Sequence, residues 1–290
     1  MEFDVVAPVG AGTTADPAWM TAFATHVEEC GFASLVVVEH ALMFTEYTSA
    51  YPYSADGRVE LAADCPIPDP LELLGFLAGR TTTLKLATGV LVLPDHHPVV
   101  LAKRVATLDR LSGGRLRLCV GMGWMREEVE ACGTDFDSRG RRADEQLEVL
   151  RALWTGDPVS HHGEFFDFDA AVCRPTPVQG RLPVLVGGHS LAAARRAGRL
   201  GDGLQPLGVA GERLQELRTE MARSAETAGR DPDALELALG HAVTAIDSGR
   251  AERLEAFGAT RVVLAMPDTA DLDEARSALS DCAERLGLRP

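Results

Sequence analysis

Arg115–Glu128 reads RLRLCVGMGWMREE. Its first six residues alternate and then turn wholly apolar, as a strand does when it leaves solvent and enters a core. The run breaks off at Gly121-Met122-Gly123, where two missing Cβ atoms let something approach the backbone closely. Trp124 follows, and then Glu127-Glu128, placed for a helix's first turn where the macrodipole favours carboxylates. A strand that delivers a glycine mouth to a helix N-terminus is a place to hold a ligand. The rest of the chain reads as more units of the same kind.

Working outward towards the N-terminus, Pro98 opens a helix to Leu111 that Ser112-Gly113-Gly114 closes, and Leu84–Leu93 is the strand before it. Asp69-Pro70 caps a helix to about Thr81, because proline suits the first helical position and aspartate its cap. Residues 41–66 break the rhythm: they hold all three tyrosines (Tyr47, Tyr51, Tyr53) with Asp56-Gly57 and two prolines, and read as a long loop. Ser34–Val38 is a strand ending in Glu39-His40, Asp16-Pro17 starts a helix through Glu29, and Phe3–Pro8 is the first strand.

Towards the C-terminus, a helix at Met125–Cys132 precedes a strongly periodic one at Arg141–Trp154. Ser160–Pro177 looks like an appended hairpin. Pro183–Val186 is a buried strand ending in Gly187-Gly188-His189-Ser190, before a helix at Leu191–Leu200. Asp202–Leu207, Leu235–Val243 and Thr260–Met266 are the remaining strands, with helices at Gly211–Gly229, Glu252–Phe257 and Thr269–Leu286. Eight strand–helix units with mostly continuous apolar strands predict a parallel sheet covered by helices. Closed on itself this is an α/β fold, a (β/α)8 barrel over residues 1–290 with insertions after strands two and four; an open doubly wound sheet is the alternative.

Composition bounds the function. A net charge of −15 leaves no basic stripe for nucleic acid. The six cysteines show no CxxC spacing, which argues for reduced thiols in a cytoplasmic protein rather than a disulfide framework or zinc site. No apolar run approaches the ~18 residues of a membrane span, and the N-terminus enters a strand at once with no leader pattern.

In such a barrel the active site lies at the C-terminal strand ends. Histidines collect there: His40, His96-His97, His189 and His241, beside Glu39. A metal-dependent hydrolase is one reading, but the HxH pair such barrels carry on strand one is missing, and no metal ligand is assigned. Glycines collect there too. Gly-Gly-His-Ser before a helix leaves free N–H groups, a hydroxyl and the positive end of a dipole around one small space, which suits phosphate. With Gly121-Met122-Gly123-Trp124 and Thr88-Gly89-Val90, the mouth suits a flat, phosphorylated cofactor standing on edge.

These blocks, in order, resemble the luciferase-like flavin-dependent oxidoreductases, in particular the branch that uses the deazaflavin coenzyme F420. The resemblance rests on Val37–His40, Leu86–Pro94, His97–Lys103 with Ala106–Arg115, Gly121–Glu128 and Val186–Ser190, and runs from residue 1 to about 265. It implies a deazaflavin lying against a bulge at Gly89–Val90, where the family often has a non-prolyl cis peptide. It further implies cofactor contacts from Glu39, His40, Thr88, Gly89, Val90, Gly121, Met122, Trp124, Gly187, Gly188, His189 and Ser190. His40 becomes the candidate catalytic residue, exchanging the proton that accompanies hydride transfer with a small organic substrate. A homodimer is implied by the same analogy.

Two departures bear on the cofactor. Asp95-His96 stands where relatives more often have a neutral residue and an arginine. The acidic tail of F420 needs cations, for which Arg58, Arg126, Arg195 and Arg196 are the candidates; without such a groove FMN and a monooxygenase activity become the alternative. A barrel that has lost its cofactor and only binds a ligand is the reading of another class.

Overall fold

In the computed structural model, which describes residues 1–289, apolar runs form strands and the amphipathic stretches between them form helices. The first half runs β1 (Glu2–Val6), α1 (Pro17–Glu29), β2 (Ser34–Val37), α2 (Pro70–Ala78), β3 (Lys85–Thr88), β4 (Leu91–Val92), α3 (Pro98–Leu111), β5 (Leu116–Gly121), α4 (Arg126–Ala131) and α5 (Arg139–Leu153). A hairpin of β6 (Val159–His162) and β7 (Asp167–Ala171) stands apart from the main sheet. Then follow β8 (Val184–Gly187), α6 (Leu191–Arg199), β9 (Gly203–Gln205), α7 (Gly211–Thr227), β10 (Glu236–Ala242), α8 (Ser248–Phe257), β11 (Arg261–Ala265) and α9 (Leu272–Leu286).

The main sheet is parallel throughout and closes. Its order is β3-β2-β1-β11-β10-β9-β8-β5-β4, and β3 also pairs with β5 at Leu86↔Leu116, which joins the two edges. That closure excludes the open doubly wound sheet: the architecture is the eight-stranded (β/α) barrel. Local chemistry sets several helix starts. Asp16 accepts from the N–H of Ala18 at 2.8 Å and of Trp19 at 3.0 Å, and Asp69 does the same for Leu71 and Glu72, each ahead of a proline.

Two stretches differ from the sequence reading. Strand three is not continuous over Leu84–Leu93: pairing with β5 stops at Ala87↔Arg117 and resumes through β4 at Leu91↔Val120. Between them lies the bulge at Gly89–Val90 that the resemblance implies, and its peptide is cis. The Thr88 hydroxyl spans the gap, donating to Cys119 O at 2.9 Å and accepting from Cys119 N at 3.0 Å, so β5 keeps its partners where the ladder is interrupted. The second difference is α8, which begins at Ser248 rather than Glu252 because the Asp247 side chain caps it through Arg250 N at 2.7 Å.

Inward-facing side chains form three tiers. At the base, Arg261 binds Asp4, Glu2 and Ser34, while Arg117 meets Glu236 at 2.6 Å and Lys85 meets Glu2 at 2.7 Å. The middle tier is apolar: Val36, Ala87, Cys119, Leu185, Ala238 and Val263, all buried. Above it Gly89, Gly121, Gly187 and Gly240 carry no side chain, while Gln205, in register with Gly187, and Val90 reach into that level. The barrel is therefore filled at its base and middle, and its C-terminal mouth lies above Val90.

Candidate active site at the barrel mouth

The floor of the mouth is Val90. Its isopropyl group packs on the middle tier and lies where side chains at Gly121 and Gly187 would be: a Cβ added at either glycine would come within 2.5 Å of a Val90 methyl carbon. The gaps at Gly121 and Gly187 therefore receive the bulge itself. Gly89 is needed for the same reason, since a Cβ there would collide with Val36.

His40 forms one wall. Its Nδ1 lies 2.8 Å from Oε2 of Glu128, a residue only 2% exposed, and the other carboxylate oxygen accepts from Ala41 N at 2.6 Å and Leu42 N at 3.2 Å. A carboxylate only accepts, so Nδ1 carries the hydrogen and Nε2 is left as an acceptor, with no partner among the described residues. Trp124 stands edge-on to His40 at 6.2 Å between ring centroids. The loop after β2 extends this wall. Tyr51 packs on Trp124 at 5.1 Å, Tyr53 on Tyr51 at 5.3 Å, and His189 on Tyr53 at 5.1 Å, so edge-to-face rings run from β2 across to the β8 turn.

That loop is held by α4. Glu127 accepts from the N–H and hydroxyl groups of both Thr48 and Ser49. Burial raises the Glu127 carboxyl, but these donors outweigh it and bring it down to about 2. Glu127 and Glu128 were read from sequence only as companions of the helix dipole; their pairing with residues some eighty positions away carries no local signal.

The β8 turn supplies the opposite wall. Gly188 sits at φ +123°, and the Ser190 hydroxyl caps α6 by accepting from Ala193 N at 3.2 Å. The N–H groups of Ser190, Leu191 and Ala192 have no acceptor among the described residues, and His189 Nδ1 is buried without a partner. Arg213 reaches this turn from α7, donating to His189 O at 3.2 Å.

Of the residues singled out from sequence, Val90, His40, Trp124, Gly188, His189 and Ser190 converge on the mouth. Glu39 and Thr88 are turned into the scaffold. Glu39 accepts from Val92 N and pairs with His96 Nε2 at 2.8 Å, while the Thr88 hydroxyl is taken up by Cys119. Met122 packs against the main core. Sequence reasoning missed Glu128 and Glu127. The histidines are engaged one by one, His241 with its own chain at Ala242 O and His97 over Phe166 at 5.4 Å, and no group of three or more ligating side chains is placed for a metal among the described residues. The cysteines are all free thiols, and no helix among the described residues is long and apolar enough to cross a membrane.

Residues 1–286 match the family described as luciferase-like monooxygenase. An uncharacterized protein of Mycobacterium tuberculosis is 37% identical over 203 residues, 70% of each chain. The FMNH2-dependent dimethylsulfone monooxygenase of Pseudomonas putida is 31% identical over 202 residues, 68% of this chain and 51% of that enzyme. Among solved structures, monooxygenase RslO1 from Streptomyces bottropensis superposes with a TM-score of 0.78 at 21% identity, covering 99% of this chain and 98% of that one. An F420-dependent secondary alcohol dehydrogenase, solved with an F420–acetone adduct, gives 0.77 at 18% identity with 98% of both chains covered.

Proposed function

The chain belongs to the luciferase-like monooxygenase family, and on that footing we propose that it is a coenzyme F420-dependent oxidoreductase acting on a small organic substrate at the barrel mouth. The observation that carries the reading is the His40–Glu128 pair at the strand ends, beside a mouth floored by Val90 and the backbone of Gly121 and Gly187. Buried, unpartnered His189 Nδ1 and the free N–H groups at the start of α6 fit the phosphate-bearing part of such a cofactor. When bound, a deazaflavin supplies a ring carbon that gives or takes a hydride.

The chain does the rest. Val90 limits the depth to which a ring can enter, with Gly89 allowing the close approach of its own strand to β2. Trp124 and Tyr51 present aromatic edges as a wall. His40, fixed by Glu128, offers Nε2 as an acceptor for the proton of an alcohol, or returns a proton to a carbonyl when protonated. Tyr53 and the loop that carries it exclude water from above. Of the four candidate cations, Arg58 covers Tyr47, Arg126 is paired with Asp137 at 2.7 Å, Arg195 with Glu220 and Arg196 with Asp144; Arg213, itself paired with Glu216, is the cation that donates to the β8 turn, at His189 O.

A second reading, an FMN-dependent monooxygenase, is favoured by the Pseudomonas putida relative, whose name specifies FMNH2. Titrating the purified protein with coenzyme F420 and, separately, with FMN separates the two. A perturbed visible band and quenched fluorescence with the deazaflavin alone supports the first; a response to FMN alone overturns it.

A further inference from the structure

Around the His40–Glu128 pair stand further ionisable groups, Glu39, Asp95, His96 and Cys132, with no part in the proposed hydride and proton transfer. Glu39 and His40 end β2, Asp95 and His96 follow β4, and Glu128 and Cys132 come from α4 and its C-terminal end. The carboxylates differ in how they are supplied with donors. Glu39 receives Val92 N–H and His96, and Glu128 receives two backbone N–H groups and His40. Asp95 receives none: both of its oxygens are buried without a partner.

The turn that carries Asp95 is pinned through its backbone. The carbonyls around it are each held from outside its turn, Leu93 O and His96 O by Gln146 Nε2 at 2.9 and 2.7 Å, and Pro94 O by the Thr134 hydroxyl at 2.7 Å. A carboxyl whose two oxygens are buried without donors, in a turn packed against the helix that carries Glu128, is the one on which a shared proton settles.

We propose that Asp95 is the carboxyl that holds and releases a proton beneath the mouth, and that its charge sets the electrostatic field at the His40 imidazole. Asp95 is thus a positioning residue, acting through His40. Burial first, then the negative charges of Glu128 and Glu39, push its carboxyl up to about 7, against the smaller opposing effect of His96 and His40. Burial, and then the charges of Asp95, Glu128 and Glu39, raise the Cys132 thiol to about 11. His96 is raised as well: burial opposes its protonation, but Glu39 outweighs it. With its proton in place Asp95 is neutral and can donate. Once the proton has gone to solvent, a negative charge stands behind His40 and favours the imidazolium, the form that follows proton uptake from a substrate.

The inference holds for either flavin, so the test uses the ligand-free chain. The Asp95 side-chain 13C resonance and the His40 ring 15N resonances are followed by NMR from pH 5 to pH 9, in the native sequence and in Asp95→Asn. The expected result is an Asp95 titration centred near neutrality and a His40 ring titration whose midpoint falls in Asp95→Asn, since the negative charge that favours the imidazolium is gone. An Asp95 titration in the ordinary carboxylate range overturns the proposal, and so does a His40 midpoint that is the same in both chains. If Asp95→Asn does not fold, the Asp95 resonance of the native sequence decides alone. Failure of the cofactor titration with this NMR result intact would overturn the F420 reading and leave Asp95's role standing.

Discussion

His40 Nδ1 and Glu128 Oε2 stand 2.8 Å apart, joined across 88 positions of sequence, and this contact fixes which nitrogen of the imidazole faces the mouth. Glu128→Gln nearly preserves shape but presents an amide donor or a weaker acceptor to Nδ1. Turnover is expected to fall by about 10²-fold in kcat/KM, the usual scale for disabling a general acid–base group. Ring 15N shifts are expected to report an altered His40 tautomer. Folding stability is expected to drop by only about 1 kcal/mol, since the amide oxygen still accepts from Ala41 and Leu42.

Glu127 is the latch of the tyrosine loop. In Glu127→Ala, Thr48 and Ser49 lose their acceptor, and limited proteolysis is expected to cut residues 41–66 faster while thermal unfolding of the barrel hardly moves. The Glu127 carboxyl is depressed, so the latch is complete above its ordinary value of about 4.5 and is lost as pH falls through about 2. Cleavage rates in the native sequence are therefore expected to be flat from pH 5 to pH 9 once corrected for the protease; a rise at pH 6 would contradict the assignment.

Val90 and Gly187 are sterically coupled. A methyl at position 187 would meet Val90 Cγ1 at 2.5 Å, so Gly187→Ala is expected to cost about 1–3 kcal/mol through overpacking. Val90→Ala removes the colliding atom. The double variant is expected to recover part of the loss, a coupling measurable by denaturant unfolding of all four chains.

Asp95 makes stability depend on pH. Its carboxyl is raised from 3.8 to about 7, so between those values the folded chain holds a proton that the unfolded chain has released. The folded state binds more protons there, and stability falls as pH rises through that window before levelling off above it. Asp95→Asn is expected to remove this slope and to be more stable than the native sequence at pH 8, on the order of 1–2 kcal/mol. Equal pH slopes in the two chains would count against the assignment.

What the sequence discloses is what is written locally. Asp16-Pro17 and Asp69-Pro70 mark their helices because cap and first turn are adjacent, and the apolar strands mark a doubly covered sheet because their burial is continuous. The mouth positions His40, Trp124 and His189 follow from strand ends, with the family resemblance. Glu128 and Glu127 are hidden because an acidic pair in a first turn has a sufficient local explanation. The glycines at 121 and 187 are legible as gaps, but their occupant, Val90, comes from another strand in a peptide geometry that no local pattern announces. Thr88 misleads for a related reason: its hydroxyl repairs a ladder whose break is invisible in one strand alone.

The tier of ion pairs at the base has a kinetic consequence. With Arg261, Asp4 and Glu236 packed beneath an apolar plug, the cylinder is a blind vessel with a single opening. Whatever lies deeper must arrive first and depart last. Two molecules seated there one above the other would exchange in that order, and the base offers neither of them a second way out.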